Sequence, residues 1–259
     1  MWSQLLHSKL STAGFTRCES DMCFYWKREG DDLVVVGVYV DDLLATGTSA
    51  AAVERFFASL ASLSIKDLGR VSKLLGMRVT HNGQNGYTLD QEEAIRDLLR
   101  DNGLADANST WTPIDDSCYE LEEGDAELLG TPSAQLGPTV HQFQSLVGSL
   151  LWVACCTRPD IAFAVHKVTR RVHAPRLADW KLDKRIARYL KGTAALKVTM
   201  IPEDNLGVAM RLELFSDADF AADKTDRKSM TGGIMMLNGM AVSWGARKQG
   251  GVSLSTMEA

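Results

Sequence analysis

The chain has 259 residues, of which 45% are hydrophobic and 24% are charged, and its formal net charge at pH 7 is -5. This composition argues against global disorder, and the length indicates roughly two domains with buried cores. The five cysteines form no CxxC pair and their odd number argues against a disulfide framework, while no apolar run approaches the ~20 residues of a membrane helix.

The first part of the chain alternates between helical and extended patterns. Gly14 and Gly103 follow two predicted helices at positions where glycine commonly ends them. Asp90, with Glu93 three residues later, is the predicted N-cap of the second of these helices. The predicted elements are a helix at residues 4–13, strands at 23–27, 33–40 and 43–46, a helix at 51–63, a hairpin of strands 76–80 and 87–89, and a helix at 90–102.

The second part begins with a segment rich in acidic residues, glycine and proline, residues 108–139, which is interpreted as a solvated linker. Asn238-Gly239 is a strong signal for a two-residue hairpin turn. The predicted elements after the linker are helices at 140–156, 160–172 and 179–190 and strands at 212–220, 229–237 and 240–247.

Two adjacent carboxylates lie in the tetrapeptide Tyr39-Val40-Asp41-Asp42, between two predicted strands and among residues typical of a core. Ionised carboxylates are costly to place in such surroundings unless a cation neutralises them, and Mg²⁺ is bound by one or two carboxylates together with substrate phosphates. Asp pairs also favour turns, which is the interpretation of Asp31-Asp32 and Asp115-Asp116. The longer string, which continues as Leu43-Leu44-Ala45-Thr46-Gly47, favours a metal site.

This string resembles the catalytic hairpin in the reverse transcriptase of copia-type LTR retrotransposons. Further motifs of that family follow in the same order and extend the resemblance over nearly the whole chain. They are Lys66-Asp67-Leu68-Gly69, Leu74-Leu75-Gly76-Met77, Ser145-Leu146-Val147-Gly148-Ser149-Leu150-Leu151-Trp152, Thr157-Arg158-Pro159-Asp160-Ile161-Ala162, Arg188-Tyr189-Leu190-Lys191-Gly192-Thr193, Phe215-Ser216-Asp217-Ala218-Asp219 and Ser253-Leu254-Ser255-Thr256-Met257-Glu258-Ala259.

The resemblance implies an α+β chain with a partial polymerase palm and thumb, a helical connection region and a truncated ribonuclease H-like α/β domain. The C-terminal half of the palm and thumb-like helices would occupy residues 1–107, and the acidic linker would follow at 108–139. The connection region would occupy 140–200, and the start of the ribonuclease H-like domain 206–259. The family's first palm aspartate and its later ribonuclease H carboxylates have no match in this sequence.

Four carboxylates carry the chemistry that the resemblance implies. Asp41 and Asp42 would be catalytic ligands of Mg²⁺ (or Mn²⁺) in the polymerase site, with the role of Asp42 the less defined of the two. Asp217 and Glu258 would be catalytic and metal-binding in the ribonuclease H site. Asp219 is a secondary candidate, because residues two apart on a strand share a face.

The implied partners are an RNA template, a DNA primer, an RNA–DNA hybrid and, in the complete enzyme, deoxynucleotides. Tyr39 would lie under the primer end, and Leu75-Gly76-Met77 would hold the primer backbone. Ten basic residues against three acidic ones lie between residues 158 and 191, and a cationic helix face there favours phosphate contact over a merely solvated surface. The residues of that face are Lys181, Lys184, Arg185, Arg188 and Lys191.

The expected function is that of an RNA-directed DNA polymerase with a ribonuclease H region, in an intracellular retrotransposon polyprotein (cytoplasm or nucleus) without membrane contact. The alternative is a catalytically inactive remnant that at most binds nucleic acid. An unrelated metal-dependent phosphotransferase would leave the later motifs unexplained. Because the first palm aspartate has no match, we expect this stretch by itself not to extend a primer.

Overall fold

The chain folds as an α+β protein in the computed structural model, which describes residues 2–63, 65–83, 86–119, 124–130, 137–201, 210–221 and 226–259. It divides into two compact units, Met1–Val71 and Ser72–Ala259. Three sheets, all with antiparallel neighbours, lie within the described residues. None of the helices in that part of the chain has both the length and the apolar character needed to cross a bilayer.

The described residues of the first unit form one four-stranded sheet with two helices. The two helices and the three strands predicted there are confirmed to within a few residues. The strand order is β1-β2-β3-β4, so consecutive strands are neighbours. The elements are α1 (Trp2–Thr12), β1 (Thr16–Arg17), β2 (Phe24–Glu29), β3 (Asp32–Tyr39), β4 (Asp42–Gly47) and α2 (Ala50–Ser59).

One face of this sheet forms the core of the first unit. Val34 and Val36 point to the buried side of β3, and Phe56 of α2 packs with Phe15 at a ring-centroid distance of 5.3 Å. Asp32 joins α2 to the sheet because its carboxylate accepts hydrogen bonds from Ser49 and Arg55. The hydrogen bond from Ser49, followed by that from Arg55, lowers the pKa of Asp32, as expected for a structural turn.

The described residues of the second unit form two sheets and four α-helices. The elements are β5 (Lys73–Leu74), β6 (Met77–His81), β7 (Tyr87–Asp90), α3 (Glu92–Asp101), α4 (Val140–Cys156), α5 (Ala162–Thr169), α6 (Leu177–Thr193), β8 (Val198–Met200), β9 (Leu212–Asp219), β10 (Met230–Leu237) and β11 (Met240–Lys248). The first sheet has the order β5-β6-β7-β8 and the second the order β11-β10-β9. The predicted Asn238-Gly239 turn is confirmed, with positive φ at both residues.

Helices α3 to α6 share one hydrophobic core, although α3 was expected in a separate domain from the other three. Ile95 and Leu98 of α3 belong to the same buried cluster as Leu146 of α4 and Ile186 of α6. The apolar stripe of α3 is therefore covered by the helices that follow the segment 108–139.

The predicted N-cap of α3 was wrong, because Gln91 occupies that position and makes no side-chain capping bond. Asp90 is instead fully buried at the end of β7. Arg78 pairs with its carboxylate at 3.0 Å and Lys197 lies 3.7 Å away. The Asp90 carboxylate also accepts a hydrogen bond from the backbone amide of Glu92, the first residue of α3, at 3.3 Å, so it contacts the helix end while it is paired with the cations.

Parts of the segment 108–139 pack on the helices, which corrects the expectation of a linker that is solvated throughout, although Trp111 is 99% exposed. Ile114, Cys118 and Leu129 lie against the core of the second unit, and Asp125 is buried. A short 3₁₀ turn, Asp116–Tyr119, lies within it. Although this segment is rich in glycine and acidic residues, it contributes apolar side chains to the core.

Arg158 is the largest fully buried side chain of the described residues, and it joins two of the sequence motifs. Its guanidinium donates to both carboxylate oxygens of Asp160, at 2.9 and 2.7 Å, and to the backbone carbonyl and hydroxyl of Thr193, at 3.0 and 2.6 Å. It also lies over the ring of Tyr189, whose hydroxyl donates to Asp160 at 2.8 Å. The network fixes the end of α6 against the turn that follows α4.

The carboxyl of Asp160 responds to two opposing effects within this network. Burial acts to raise its pKa, but the hydrogen bonds and charge of Arg158 outweigh that effect, so the pKa lies below the ordinary value. The carboxylate therefore contributes stability at neutral pH, and this contribution is lost as the pH falls through its folded-state pKa.

Asp183 of α6 is buried with neither carboxylate oxygen hydrogen-bonded within the described residues. Burial, with repulsion from Asp179 one turn earlier, raises the pKa of Asp183 well above its ordinary value of 3.8. Between about pH 4 and its folded-state pKa, the carboxyl of Asp183 is protonated in the folded chain but ionised in the unfolded chain. The free energy of unfolding therefore falls as the pH rises through this range.

Replacing Arg158 by Met is expected to lower the free energy of unfolding by about 3–5 kcal/mol, because it leaves Asp160 and Thr193 without their buried partner. Arg158→Lys keeps the charge but not the planar fork, so it should lose part of this stability. Urea unfolding followed by tryptophan fluorescence measures both. The control is Arg96→Met on α3, whose side chain is 68% exposed and whose loss should cost less than about 1 kcal/mol.

Asp183→Asn is expected to stabilise the chain by about 1–3 kcal/mol at pH 8, since it removes the cost of ionising a buried group. The gain should shrink as the pH falls to about 4 and below, because the Asp183 carboxyl then becomes protonated in the unfolded chain as well as in the folded chain. Urea titrations at pH 4, 6 and 8 test this dependence. Asp101→Asn, at an exposed position of α3, serves as the control. A gain that does not change with pH would contradict the burial of an uncompensated Asp183 carboxyl.

Candidate active site

The turn between β3 and β4 brings the predicted carboxylates to the tip of a tight hairpin. Tyr39 pairs with Asp42, so Val40 and Asp41 are the two residues of the turn. Val40 has a φ of +53°, and Asp41 does not share this left-handed conformation. A positive φ at the first turn residue alone is typical of a type II′ turn, a position usually held by glycine.

Asp41 and Asp42 are both exposed, which corrects the expectation that core residues surround them. Tyr39 and Val40 beside them are 52% and 71% exposed. The carboxylates are therefore not buried charges that require a cation to fold. The turn instead exposes both carboxylates to solvent.

The side of the first sheet opposite the core is open and carries large side chains. Since paired residues share a face, Tyr39 and Asp42 lie on one side of the sheet. Leu44 lies two residues after Asp42 and therefore on that same side, which also holds the exposed Phe24 and Trp26 of β2. We call this surface the open sheet face. It combines aromatic area with a carboxylate at one end.

A divalent cation fits the donor chemistry of the hairpin, because carboxylate oxygens are the ligands that Mg²⁺ and Mn²⁺ prefer. Among the described residues, no group of three or more His, Cys, Asp or Glu side chains converges to complete such a site. A cation at this turn would have Asp41 and Asp42 as its carboxylate ligands, and the remaining positions would fall to water and substrate phosphates.

Leu75 and Gly76 form a second two-residue turn, between β5 and β6, with Leu74 paired to Met77. Both turn residues have positive φ, +51° for Leu75 and +76° for Gly76. A side-chain carbon on Gly76 would lie 3.4 Å from the indole nitrogen of Trp152 on α4, so the turn lies close to that helix. The predicted primer-holding residues thus share one strained hairpin.

The cations of α6 contact the chain's own backbone and carboxylates rather than forming an unoccupied face. Most of these contacts reach residues 107–115, which we call the strap. Lys181 pairs with Asp125 at 2.9 Å, Arg185 contacts Asp115 and Thr112, Arg188 donates to the carbonyl of Asn108 at 2.6 Å, and Lys191 donates to the carbonyl of Ala107 at 2.7 Å.

Lys184 differs from these four cations, since it lies over the ring of Trp180 at 5.9 Å. Gly192 allows the strap to approach α6, because a side-chain carbon there would lie 3.0 Å from Ser109. The sequence pattern located the cationic face correctly but did not identify its intramolecular partner. The signal that could have indicated one was the run of acidic residues that begins at Asp115.

The two predicted ribonuclease H carboxylates lie in different settings. Asp217 is on β9, opposite Gly232 of β10, and Asp219 lies two residues further along the same strand. Glu258 lies in a turn rather than at the start of a helix, and its carboxylate accepts from the backbone amide of Leu254 at 2.9 Å. The expected helical start at this position is therefore a turn closed by the Glu258 side chain.

Comparison with known proteins gives a consistent result. Residues 1–116 match the family described as reverse transcriptase (RNA-dependent DNA polymerase). Across its whole length the chain is 31% identical to the retrovirus-related Pol polyprotein from transposon TNT 1-94 of Nicotiana tabacum and 32% identical to that from transposon RE1 of Arabidopsis thaliana, of which it covers 19% and 17%. No solved structure gives a significant match.

A shorter relative is matched over most of its own length. The chain is 34% identical to the uncharacterized mitochondrial protein AtMg00810 of Arabidopsis thaliana, over 85% of this chain and 86% of that protein. The hairpin and these matches place the chain among reverse transcriptases. It belongs to the family of Pol polyproteins of copia-type retrotransposons, and it spans about a fifth of the length of the two polyproteins named above.

Arg185→Gln is expected to loosen the strap, since it removes the contacts to Asp115 and Thr112. A partly exposed ion pair contributes up to about 1 kcal/mol, so amide exchange of the strap should accelerate by up to roughly fivefold. Hydrogen-exchange mass spectrometry measures this rate. Lys184→Gln is the matched control, because Lys184 contacts Trp180 instead. Equal exchange in both variants would mean that Arg185 does not hold the strap.

Proposed function

We propose that this chain is the part of an RNA-directed DNA polymerase that binds the catalytic metal ions and holds the primer. The observation that carries the proposal is the β3–β4 turn, which presents Asp41 and Asp42 together at the end of the open sheet face. Its partners would be an RNA template, a DNA primer and deoxynucleotides. The resulting assignment is a palm role for the first unit.

Other parts of the fold support a matching assignment of regions. Helix α3 would be a thumb element and α4 to α6 the connection region, so the hydrophobic core that all four helices share would join these two regions. The antiparallel strands β9, β10 and β11 would begin a ribonuclease H-like domain. The assignment of Asp217 and Glu258 to a second metal site stays a prediction.

The residues of the hairpin would divide the work of the polymerase site. When bound, Mg²⁺ or Mn²⁺ supplies an activated primer hydroxyl and a stabilised pyrophosphate leaving group. Asp41 and Asp42 contribute the negative oxygens that hold such a cation. The ring of Tyr39, half exposed on the open sheet face, provides a surface on which the terminal base of the primer can stack.

The second hairpin would contact the primer through its backbone. A turn with two positive φ angles, at Leu75 and Gly76, exposes peptide groups that flanking strands do not use. Contacts of this kind position a nucleic acid strand without reading its sequence. A phosphate role for α6 stays a prediction as well, and the strap would compete with phosphate for Arg185 and Arg188.

A catalytically inactive remnant that only binds nucleic acid is the second candidate. The observation that favours it is that Asp41 and Asp42 have no third His, Cys, Asp or Glu ligand within the described residues. Such a remnant would keep the aromatic open sheet face. Its affinity for nucleic acid would then not depend on Asp41 or Asp42.

Mn²⁺ is expected to bind the chain in the millimolar range, and Asp41→Asn or Asp42→Asn should weaken this binding about tenfold or more. The reason is that each substitution removes one of two anionic ligands. Titration of free Mn²⁺ by electron paramagnetic resonance measures the affinity directly.

Asp31→Asn is the matched control for this titration, because Asp31 lies in the exposed turn before β3, at the opposite end of the same strand. The Asp31→Asn chain should bind Mn²⁺ with the same affinity as the unchanged chain. If the unchanged chain binds no Mn²⁺, or if all three variants weaken binding equally, the metal-binding role of the hairpin is wrong.

A further inference from the structure

The first residue of α1 contacts the candidate metal-binding turn. The indole N–H of Trp2 donates a hydrogen bond to the backbone carbonyl of Val40, at 3.0 Å and 38 residues away in sequence. Trp2 also packs, partly buried, against the core of the first unit. The indole is therefore held in place by packing while its nitrogen reaches the turn.

The residue that receives this hydrogen bond has an unfavourable backbone conformation. Val40 is β-branched, and its φ of +53° lies in the left-handed region. A conformation of this kind is strained and persists only where the surroundings hold it. Val40 is 71% exposed, so its own side chain contributes little packing to offset that cost.

The carbonyl of Val40 belongs to the peptide group that joins Val40 to Asp41. Because a peptide group is planar, fixing the direction of its carbonyl also fixes the direction of the Asp41 N–H. The position of Asp41 and its connection to Asp42 depend on that plane. A donor on the Val40 carbonyl thus acts on the geometry of both carboxylates without contacting either.

We propose that Trp2 is a positioning residue for the metal-binding turn: its indole N–H holds the Val40–Asp41 peptide so that Asp41 and Asp42 are preset for a divalent cation. This inference rests on the metal role proposed above for the two carboxylates. The competing explanation is that Trp2 serves only as a packing residue of α1.

The substitution Trp2→Phe separates these explanations, because it keeps an aromatic ring in the core and removes the N–H donor. A hydrogen bond contributes about 1 kcal/mol net, which corresponds to roughly fivefold in an equilibrium constant. Mn²⁺ affinity is therefore expected to fall about fivefold, and amide exchange of residues 40–42 to accelerate by a similar factor. Trp111→Phe, at a position of the strap that is 99% exposed, is the matched control and should change neither quantity.

A double substitution provides a readout that packing alone would not move. Glycine adopts positive φ without strain, so in a Val40→Gly chain the hydrogen bond from Trp2 has less strain to offset. The effect of Trp2→Phe on Mn²⁺ affinity should drop below about twofold in that background. Packing of Trp2 on the core would give the same loss in both backgrounds.

The outcomes distinguish this inference from the proposal on which it rests. Unchanged Mn²⁺ affinity and unchanged turn exchange in Trp2→Phe would overturn the positioning role, as would a loss of thermal stability without a change in the turn. If the unchanged chain binds no Mn²⁺, the metal role of the hairpin is wrong. Accelerated exchange of residues 40–42 in Trp2→Phe would then still show that the indole holds the turn.

Discussion

The helical part of the second unit depends on the hydrogen bonds that the buried guanidinium of Arg158 makes. A charge that leaves water is tolerated only when every donor finds a partner, and here Asp160 and Thr193 supply those partners. The residue before it, Thr157, adds a buried hydrogen bond to Gln91 at the start of α3. One turn of chain therefore joins the ends of α4 and α6 to α3. Two motifs that are separate in the sequence thus act as a single structural network.

In the first unit the two carboxylates of the β3–β4 turn are exposed, in contrast to the buried guanidinium of Arg158. Its candidate metal-binding carboxylates, Asp41 and Asp42, lie at an exposed tip, where the unfavourable energy comes from the backbone of Val40 rather than from desolvation. This arrangement suits a site that must receive a hydrated cation and substrate phosphates, because ionised carboxylates at the surface need no partner in order to fold. The hairpin of the first unit therefore exposes its charges at the surface, whereas the Arg158 network of the second unit uses buried charges to hold helices together.

The cations of α6 illustrate why a charged face does not name its partner. Helical spacing placed them correctly on one side of the helix, but Arg185 and Arg188 contact the strap within the same chain. Backbone carbonyls and phosphates offer the same cations similar oxygen acceptors. Only the path of the connecting segment determines which acceptor is present. Asp183 shows the converse, since an acidic residue in a charged helix lies uncompensated in the core.

The sequence by itself determined the elements whose signals are local. The span of α4 and the Asn238-Gly239 turn follow from periodicity and turn chemistry, which act over a few residues. The hairpin that carries Asp41 was also expected, but its turn lies at Val40-Asp41 rather than at Asp41-Asp42, and Asp42 belongs to β4. The tertiary structure alone decided the short strand β8, the buried state of Asp90 and the hydrogen bond from Trp2 to Val40. These features arise from groups far apart in the chain that meet only after folding. Their energies come from burial and from partners that no local pattern encodes.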